Sequence, residues 1–290
     1  MLQQHVAALE AMATAVNAGD ARRYARLYAP EAIITIIGGD VLRGRDAIER
    51  YEVDLLRQFP GARLAFYSLW PSGDAAVVHY GVSGKTPDGR AMGHEGLLFY
   101  RFLPSGLIIE ERRYNDSLTP MAQLGMLGDG PHRAPPSLPD KMEVYAARNA
   151  AAEARNVALV KSLLDAWEAK REAQVLEALA EQAIVDDLFL PRPFSARPGA
   201  RDWLAAWSAA SKLQSELSSI FAAGDFVFAE SVVRGRLTGR LGPVRASDAG
   251  FTVHRAYMAE ITNGKVRRLA AFTNGKELAE AVSQWPPTSK

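Results

Sequence analysis

SGDAAVVHYGVSGK (72–85) and AGDFVFAESVVRGR (223–236) share a Gly-Asp turn, a β-branched run and a closing Gly-Lys or Gly-Arg. A Gly-Asp step between apolar runs is a hairpin signal, so each stretch reads as a turn and the strand that leaves it. The two begin 151 positions apart, and working outward from them finds further pairs in the same order. YAPEAII (28–34) matches LAEQAIV (179–185), and Gly44-Arg45-Asp46-Ala47-Ile48 matches Gly199-Ala200-Arg201-Asp202-Trp203. Gly106-Leu107-Ile108 matches Gly264-Lys265-Val266. Each match is short, but four in one order point to a duplication. The 290 residues suit two domains of ordinary size.

Between the copies lies GDGPHRAPPSLPD (128–140), whose prolines and glycines read as a linker. The expected division is therefore 1–127, a linker at 128–140 with the boundary near 135, and 141–290. In the first copy, Gln3–Asn17 and Ala21–Tyr28 carry apolar residues at helical spacing, separated by Gly19-Asp20, a stop followed by an N-cap. Ala32–Ile37 reads as a short buried strand and Asp46–Phe59 as a third helix. Arg63–Trp70, Ala75–Ser83, Ala91–Phe102 and Leu107–Asp116 then read as strands joined by tight turns. The second copy repeats the order. The expected fold class is α+β, with each domain a curved antiparallel sheet covered by three helices, a cone enclosing an apolar cavity.

Composition excludes several functions. Lys+Arg 34 against Asp+Glu 33 leaves a charge of +1, so nothing global draws the chain to nucleic acid or an anionic membrane. The absence of cysteine removes disulfides, thiolate metal sites and a thiol nucleophile. The histidines show no H-x-H or H-x-x-x-H spacing, so no metal site is expected. Gly84-Lys85-Thr86 lacks the earlier glycine of a phosphate loop, since position 79 is His. No apolar run approaches the roughly 20 residues that span a bilayer, and the first residues lack the pattern of a signal peptide. The expectation is a cytoplasmic protein.

AVNAGD (15–20), LYAPEAII (27–34), GRDAIERY (44–51), the Ser72-Gly73-Asp74 hairpin and RRYNDSLTPMAQLG (112–125) together resemble the SnoaL-like polyketide cyclase branch of the nuclear transport factor 2-like superfamily. The resemblance covers about residues 6–125. The second copy, about 156–282, resembles the superfamily through its element order and the repeat. The resemblance implies a cone-shaped fold and chemistry done without metal or cofactor by carboxylates, Tyr, His or Arg in the cavity. It also implies a pseudo-dimer within one chain, sheet against sheet, itself a monomer or a homodimer.

By the same resemblance Asp116, at the end of the last strand, matches the acid–base aspartate of the cyclases. Alternation places Tyr114 and Arg112 on its face. The other reading of Asp116 is a cap that ties down the following loop. His94 is the candidate histidine partner, with Glu95 beside it and His79 on the preceding strand; each is equally an ordinary sheet residue. Tyr24, Tyr51 and Trp70 are candidates for cavity lining or plain core. In the second copy Asn274 takes the place of Asp116. Asp186 and Asp187 in QAIVDDLF resemble the base position of ketosteroid isomerase, with Glu216 and Glu230 as carboxylate partners, or form a solvent-facing pair. Arg197, with Arg192 and Arg201, could grip a substrate carboxylate at the cavity mouth or simply be solvated.

Three functions follow. One is a cofactor-independent enzyme of secondary metabolism, a cyclase, isomerase, dehydratase or epoxide-opening catalyst acting on a small apolar carbonyl- or epoxide-containing molecule. The second is a non-catalytic small-molecule binder, and the third a protein-interaction module. Convergent ionisable groups in one cavity distinguish the first from the others.

Overall fold

The computed structural model describes residues 2–86, 88–116, 118–127, 132–145 and 150–282. The chain divides into two compact units, one of Met1–Asn115 with Ala134–Ala146, the other of Asp116–Arg133 with Ala147–Lys290. The change-over falls at the end of the last strand of the first copy rather than at residue 127. Residues 128–131 of the expected linker lie outside the described residues. Its later part, 134–140, belongs to the first unit.

In the first unit α1 (Leu2–Asn17) buries Leu9, Met12 and Ala15 on one stripe. Gly19, at φ +69°, ends it, and Asp20 caps α2 (Ala21–Ala25) by accepting a hydrogen bond from the Arg23 amide at 2.8 Å. The second helix is shorter than its apolar spacing predicts. Tyr28 opens β1 (Tyr28–Ile36) instead, because Pro30 bars a helical continuation and the tyrosine ring is wholly buried. Next come β2 (Val41–Arg43), α3 (Arg45–Gln58), and the meander β3 (Arg63–Ser72), β4 (Ala75–Lys85), β5 (Ala91–Phe102) and β6 (Ile108–Asn115). The sheet order is β2-β1-β6-β5-β4-β3-β7, where β7 (Glu143–Val144) lies in the returning segment. The sheet is mixed rather than antiparallel. The meander brings β6 back beside β1 in parallel, and β7 adds to β3 in parallel.

Aliphatic and aromatic residues from α1, α2, β1 and the helix-facing sides of β3–β6 form one core. The opposite face of the sheet is covered by residues 134–145. Tyr145 stacks on Trp70 at 5.3 Å, and the Tyr67 hydroxyl donates to the Ser137 carbonyl at 2.9 Å.

The second unit opens with α4 (Leu118–Gln123), continues through α5 (Ala150–Glu168), α6 (Glu172–Ala178), β8 (Leu179–Asp187), β9 (Phe194–Ser195) and α7 (Ala196–Trp207), and closes with β10 (Ala210–Ala223), β11 (Phe226–Leu237), β12 (Gly250–Thr262), β13 (Lys265–Thr273) and α8 (Gly275–Ala281). Its order, β10-β11-β12-β13-β8-β9, reproduces the first sheet without the strand from the returning segment.

Register demonstrates the duplication. In β1–β6, Tyr28 faces Ile108 and Ile33 faces Glu110; in β8–β13, Leu179 faces Val266 and Ile184 faces Arg268. Every first-strand residue moves by 151 positions and every last-strand residue by 158, so both copies carry the same irregularity. The last hairpin agrees. Phe102 pairs with Ile108 and Arg101 with Glu110, which leaves Ile109 as a bulge; Ile261 pairs with Val266 and Glu260 with Arg268, which leaves Arg267 as the same bulge. No helix among the described residues is long and apolar enough to cross a membrane.

Candidate functional site

Beneath the helices of the first unit lies a polar network built on an Arg–Glu pair. Arg113 on β6 donates from Nε to Glu111 Oε1 at 2.7 Å and from Nη2 to the Tyr24 hydroxyl at 3.0 Å. Tyr24 and Tyr28 share a hydrogen bond of 2.9 Å, and the Tyr28 hydroxyl donates to Glu111 Oε2. Glu52, projecting from α3, brings Oε1 to 3.8 Å from Arg113 Nη1. Towards the far end of β4 and β5, the Tyr80 hydroxyl lies 3.4 Å from His94 Nε2. His94 Nδ1 and Asn115 Oδ1 are buried without a partner.

Burial sets the electrostatics. It pushes the Glu52 carboxyl up to about 7, against the smaller opposing pull of Arg113. It also raises the hydroxyls of Tyr24, Tyr28, Tyr80 and Tyr100, so these remain neutral donors at physiological pH. His94 is held down at about 4, by burial first and by the Arg113 charge second, and is therefore neutral. The site thus joins a carboxyl that titrates near neutrality to a fixed cation and several neutral donors.

Of the sequence candidates in the first copy, Tyr24 and His94 are in this network, with Tyr51 half-buried beside it. Arg112 and Tyr114 are not. They lie on the outer face of the sheet, where Arg112 pairs with Glu110 at 2.7 Å and lies over Phe99. The bulge at Ile109 is the reason. One extra residue reverses the alternation after Ile108, so Glu111 and Arg113 turn to the helices. His79 is also on the outer face, 2.9 Å from Glu95 and stacked on Tyr67, as is Trp70. Asp116 caps α4: Oδ1 accepts from the amides of Leu118 and Thr119 at 3.0 and 3.3 Å, and Oδ2 from the Thr119 hydroxyl. Burial raises it to about 6. Asn274 does the same for α8, accepting from the Lys276 amide at 3.0 Å. Aspartate in one copy and asparagine in the other is what a cap permits.

The second unit is built differently. Asp187 is wholly buried, and its Oδ2 accepts from Arg255 Nη2 at 2.7 Å, Trp207 Nε1 at 2.8 Å and Trp203 Nε1 at 3.2 Å. The Arg255 guanidinium lies over the rings of Trp207, Tyr257 and Trp167 at 4.4, 5.0 and 5.1 Å. Its neighbour Asp186 pairs instead with Arg133 at 2.8 Å and Arg268 at 3.3 Å. The expected carboxylate partners are elsewhere. Glu216 is exposed and paired with Arg234, and Glu230, on the outer face of β11, accepts from Ser219 at 2.8 Å. Arg197 is exposed at the start of α7.

Strand pairing aligns the two sites residue by residue. Tyr80 faces Gly96 across β4–β5, and at the equivalent place Ser231 faces Arg255. A Cβ on Gly96 would lie 2.3 Å from the Tyr80 ring, so that glycine is required by the tyrosine. The copies have exchanged which strand carries the large side chain. Glu52 on α3 answers to Trp207 on α7, and Arg113 to Ala271. Residues missed from sequence left faint signals. Glu52 sits four places after Ile48, on the buried stripe of its helix, and Arg255 interrupts an apolar strand.

A model of the SnoaL-like domain matches the chain twice, over residues 9–111 and 160–269. No curated protein is significantly similar to the chain in sequence. Among solved structures, a protein assigned as a SnoaL-like polyketide cyclase from Jannaschia sp. CCS1 is 17% identical over 49% of this chain and 100% of its own, with a TM-score of 0.44. TsrD from Streptomyces laurentii is 19% identical over 44% and 95%, at 0.40. An LEH-like epoxide hydrolase of M. tuberculosis is 10% identical over 46% and 92%, at 0.39. With both matched segments falling on the two folded copies, the chain belongs to the SnoaL-like domain family and carries that domain in tandem.

Proposed function

We propose that the first domain is an acid–base enzyme acting on a small apolar molecule that carries a carbonyl or epoxide oxygen, without a cofactor, and that Glu52 moves the proton. The observation that carries this reading is the state of Glu52. It is buried, pushed up to about 7, hydrogen-bonded to Tyr24 and no nearer than 3.8 Å to a cation, so without a close ion pair it can take and return a proton near neutral pH. The other buried carboxyls among the described residues are committed: Glu111 to Arg113 and Tyr28, Asp187 to an arginine and two indoles, Asp186 to Arg133 and Arg268, Glu230 to Ser219, Asp116 to a helix cap.

Arg113 supports negative charge that develops on the substrate, and Glu111 orients Arg113. The unpartnered His94 Nδ1 and Asn115 Oδ1, with the Tyr80 hydroxyl, supply polar contacts for the substrate's oxygen. Removal of a proton next to a carbonyl needs no more than this; epoxide opening adds a water that attacks carbon as the C–O bond breaks, the epoxide oxygen taking the proton of Glu52 and the water's proton returning to the carboxylate.

Exchange of the α-hydrogens of cyclohexanone in deuterated water, followed by proton NMR, tests the first reaction, and ring opening of cyclohexene oxide tests the second. Catalysis of either, rising with pH through about 7 for exchange and lost by at least a hundredfold in Glu52→Gln, is the expected result. Equal rates in Glu52→Gln would remove Glu52 from the mechanism.

A further inference from the structure

The pairing of β10 with β11 breaks at one place near the open end of the second sheet. Ser211 faces Arg236 and Gln214 faces Arg234, so Lys212 and Leu213 together oppose Gly235. The bulge holds Lys212 at φ +52°, in the left-handed region that a residue with a Cβ enters at a cost. Leu213, Val233, Phe251 and Val253 of the same strands turn into the core, which leaves Gln214, Arg234 and Thr252 on the opposite, outer face. There a groove of about 550 Å³ opens, with Ala281 of α8 contributing to its wall. Its polar lining is Lys212, Gln214, Arg234, Arg236 and Thr252, and no acidic residue lines it among those described. Gly250, opposite Arg236, keeps it open: a Cβ there would meet only a carbonyl oxygen at 3.9 Å.

We infer that this groove is an anion site, separate from the Glu52 network, that takes the phosphate group of a small soluble molecule. Every polar side chain in its lining can donate and three are cations, so the complementary group is an anion rich in acceptor oxygens. Two charges are favoured over one. Lys212 makes no ion pair or side-chain hydrogen bond among the described residues, and nothing in the groove counters its charge. Arg234 and Arg236 are engaged by Glu216 and Asp248, each at 3.2 Å, but those carboxylates are 73 and 74% exposed. Surface pairs of that kind are weak, so an anion inside the groove displaces them. The Asp248 carbonyl, which accepts from Arg236 Nη2 at 2.6 Å, keeps that guanidinium in position. Glu277 of α8 does not compete, because it accepts from the His254 amide at 2.7 Å and lies 2.7 Å from His254 Nδ1. The two arginines stand roughly 7 Å apart along one strand, which lets both planar forks reach one phosphate. With a net charge of +1 the chain exerts no long-range pull on a polyanion, so the groove suits a small ligand rather than a nucleic acid.

The test is titration calorimetry on the full chain at about pH 8, where a phosphate monoester carries two charges. The probes are phenyl phosphate, benzoate and benzyl alcohol, which carry two charges, one and none. Phenyl phosphate is expected to bind saturably and to weaken with salt, with benzoate about tenfold weaker and benzyl alcohol weaker still. Lys212→Asn removes the charge and keeps a residue that the left-handed region tolerates. Gly250→Glu adds a carboxylate where there is space for one. Each is expected to weaken phenyl phosphate about tenfold with the melting temperature unchanged. Glu216→Gln is expected to act oppositely and tighten it about threefold, because Arg234 is released. Glu52→Gln is expected to leave the affinity as it was, which separates this site from the first. No saturable binding, benzoate equal to phenyl phosphate, unchanged affinity in both Lys212→Asn and Gly250→Glu, weaker binding in Glu216→Gln, loss in Glu52→Gln, or binding only to vesicles of phosphatidic acid in phosphatidylcholine would each overturn the inference.

Discussion

Glu52 and Asp116 are both buried carboxyls raised by desolvation, and their surroundings assign them different work. Glu52 has an ordinary value of 4.5 in the unfolded chain and about 7 in the native state. Between those values the native state holds a proton that the unfolded chain has released, so Glu52 makes stability fall as pH rises from about 4.5 to 7. The raised Asp116 acts in the same direction over a lower window, ending near 6. Glu52→Gln should therefore flatten the upper part of this pH dependence and stabilise the protein at pH 8 by roughly 3 kcal/mol, measured by urea unfolding across pH. For Asp116 the expected outcome is tolerance. Asp116→Asn should keep turnover and the cap, because asparagine caps as well as aspartate does, and by the same linkage should raise stability above about pH 6, whereas Asp116→Ala should cost about 1 kcal/mol relative to Asp116→Asn. A large loss of turnover in Asp116→Asn with unchanged stability would restore it as an acid–base group.

At the scale of the element, one bulge decides the chemistry of β6. Counting twos from Ile108 puts Arg112 and Tyr114 inside; the extra residue at Ile109 puts Glu111 and Arg113 there instead. Period-two reasoning missed the face of Arg112 and Tyr114, because a bulge is a property of strand pairing and leaves no mark in composition. Gly96 shows the same dependence on a neighbouring strand. Its missing side chain is the space occupied by Tyr80, and an added Cβ would also lie 2.6 Å from the Tyr114 carbonyl oxygen. Gly96→Ala should destabilise the first domain by about 2 kcal/mol and displace Tyr80 from His94, seen as a shift of the His94 ring signals in NMR. Arg255 at the equivalent position of β12 is accommodated because Ser231 replaces the tyrosine.

At the scale of the whole molecule, the chain is divided less simply than its repeat. Leu118 belongs to the tail of the first copy in sequence but is buried in the core of the second unit, against Gly275. Tyr145 follows the linker in sequence but stacks on Trp70 of the first unit. Each unit therefore needs residues from beyond the obvious boundary. Leu118→Ala should destabilise the second domain by roughly 3 kcal/mol, and Tyr145→Ala the first by about 1 kcal/mol. Hydrogen exchange followed by mass spectrometry reads each domain separately; faster exchange in β1–β6 after Leu118→Ala, with β8–β13 unchanged, would contradict this division.

The amino-acid sequence alone determined that one α+β domain occurs twice, where most strands and helices run, and which family they resemble, because hydrophobic period, turn glycines and helix caps are local signals. It also brought Tyr24 to notice as a candidate for cavity lining or core, and His94 and Asp187 through the family resemblance. Only the tertiary structure decided what those residues touch. Whether a carboxyl lacks a close ion pair like Glu52 or has one like Asp187, and which face of β6 turns inward, depends on partners 60 to 90 positions away in sequence. Such contacts are made by strand register and helix packing, which no local pattern encodes.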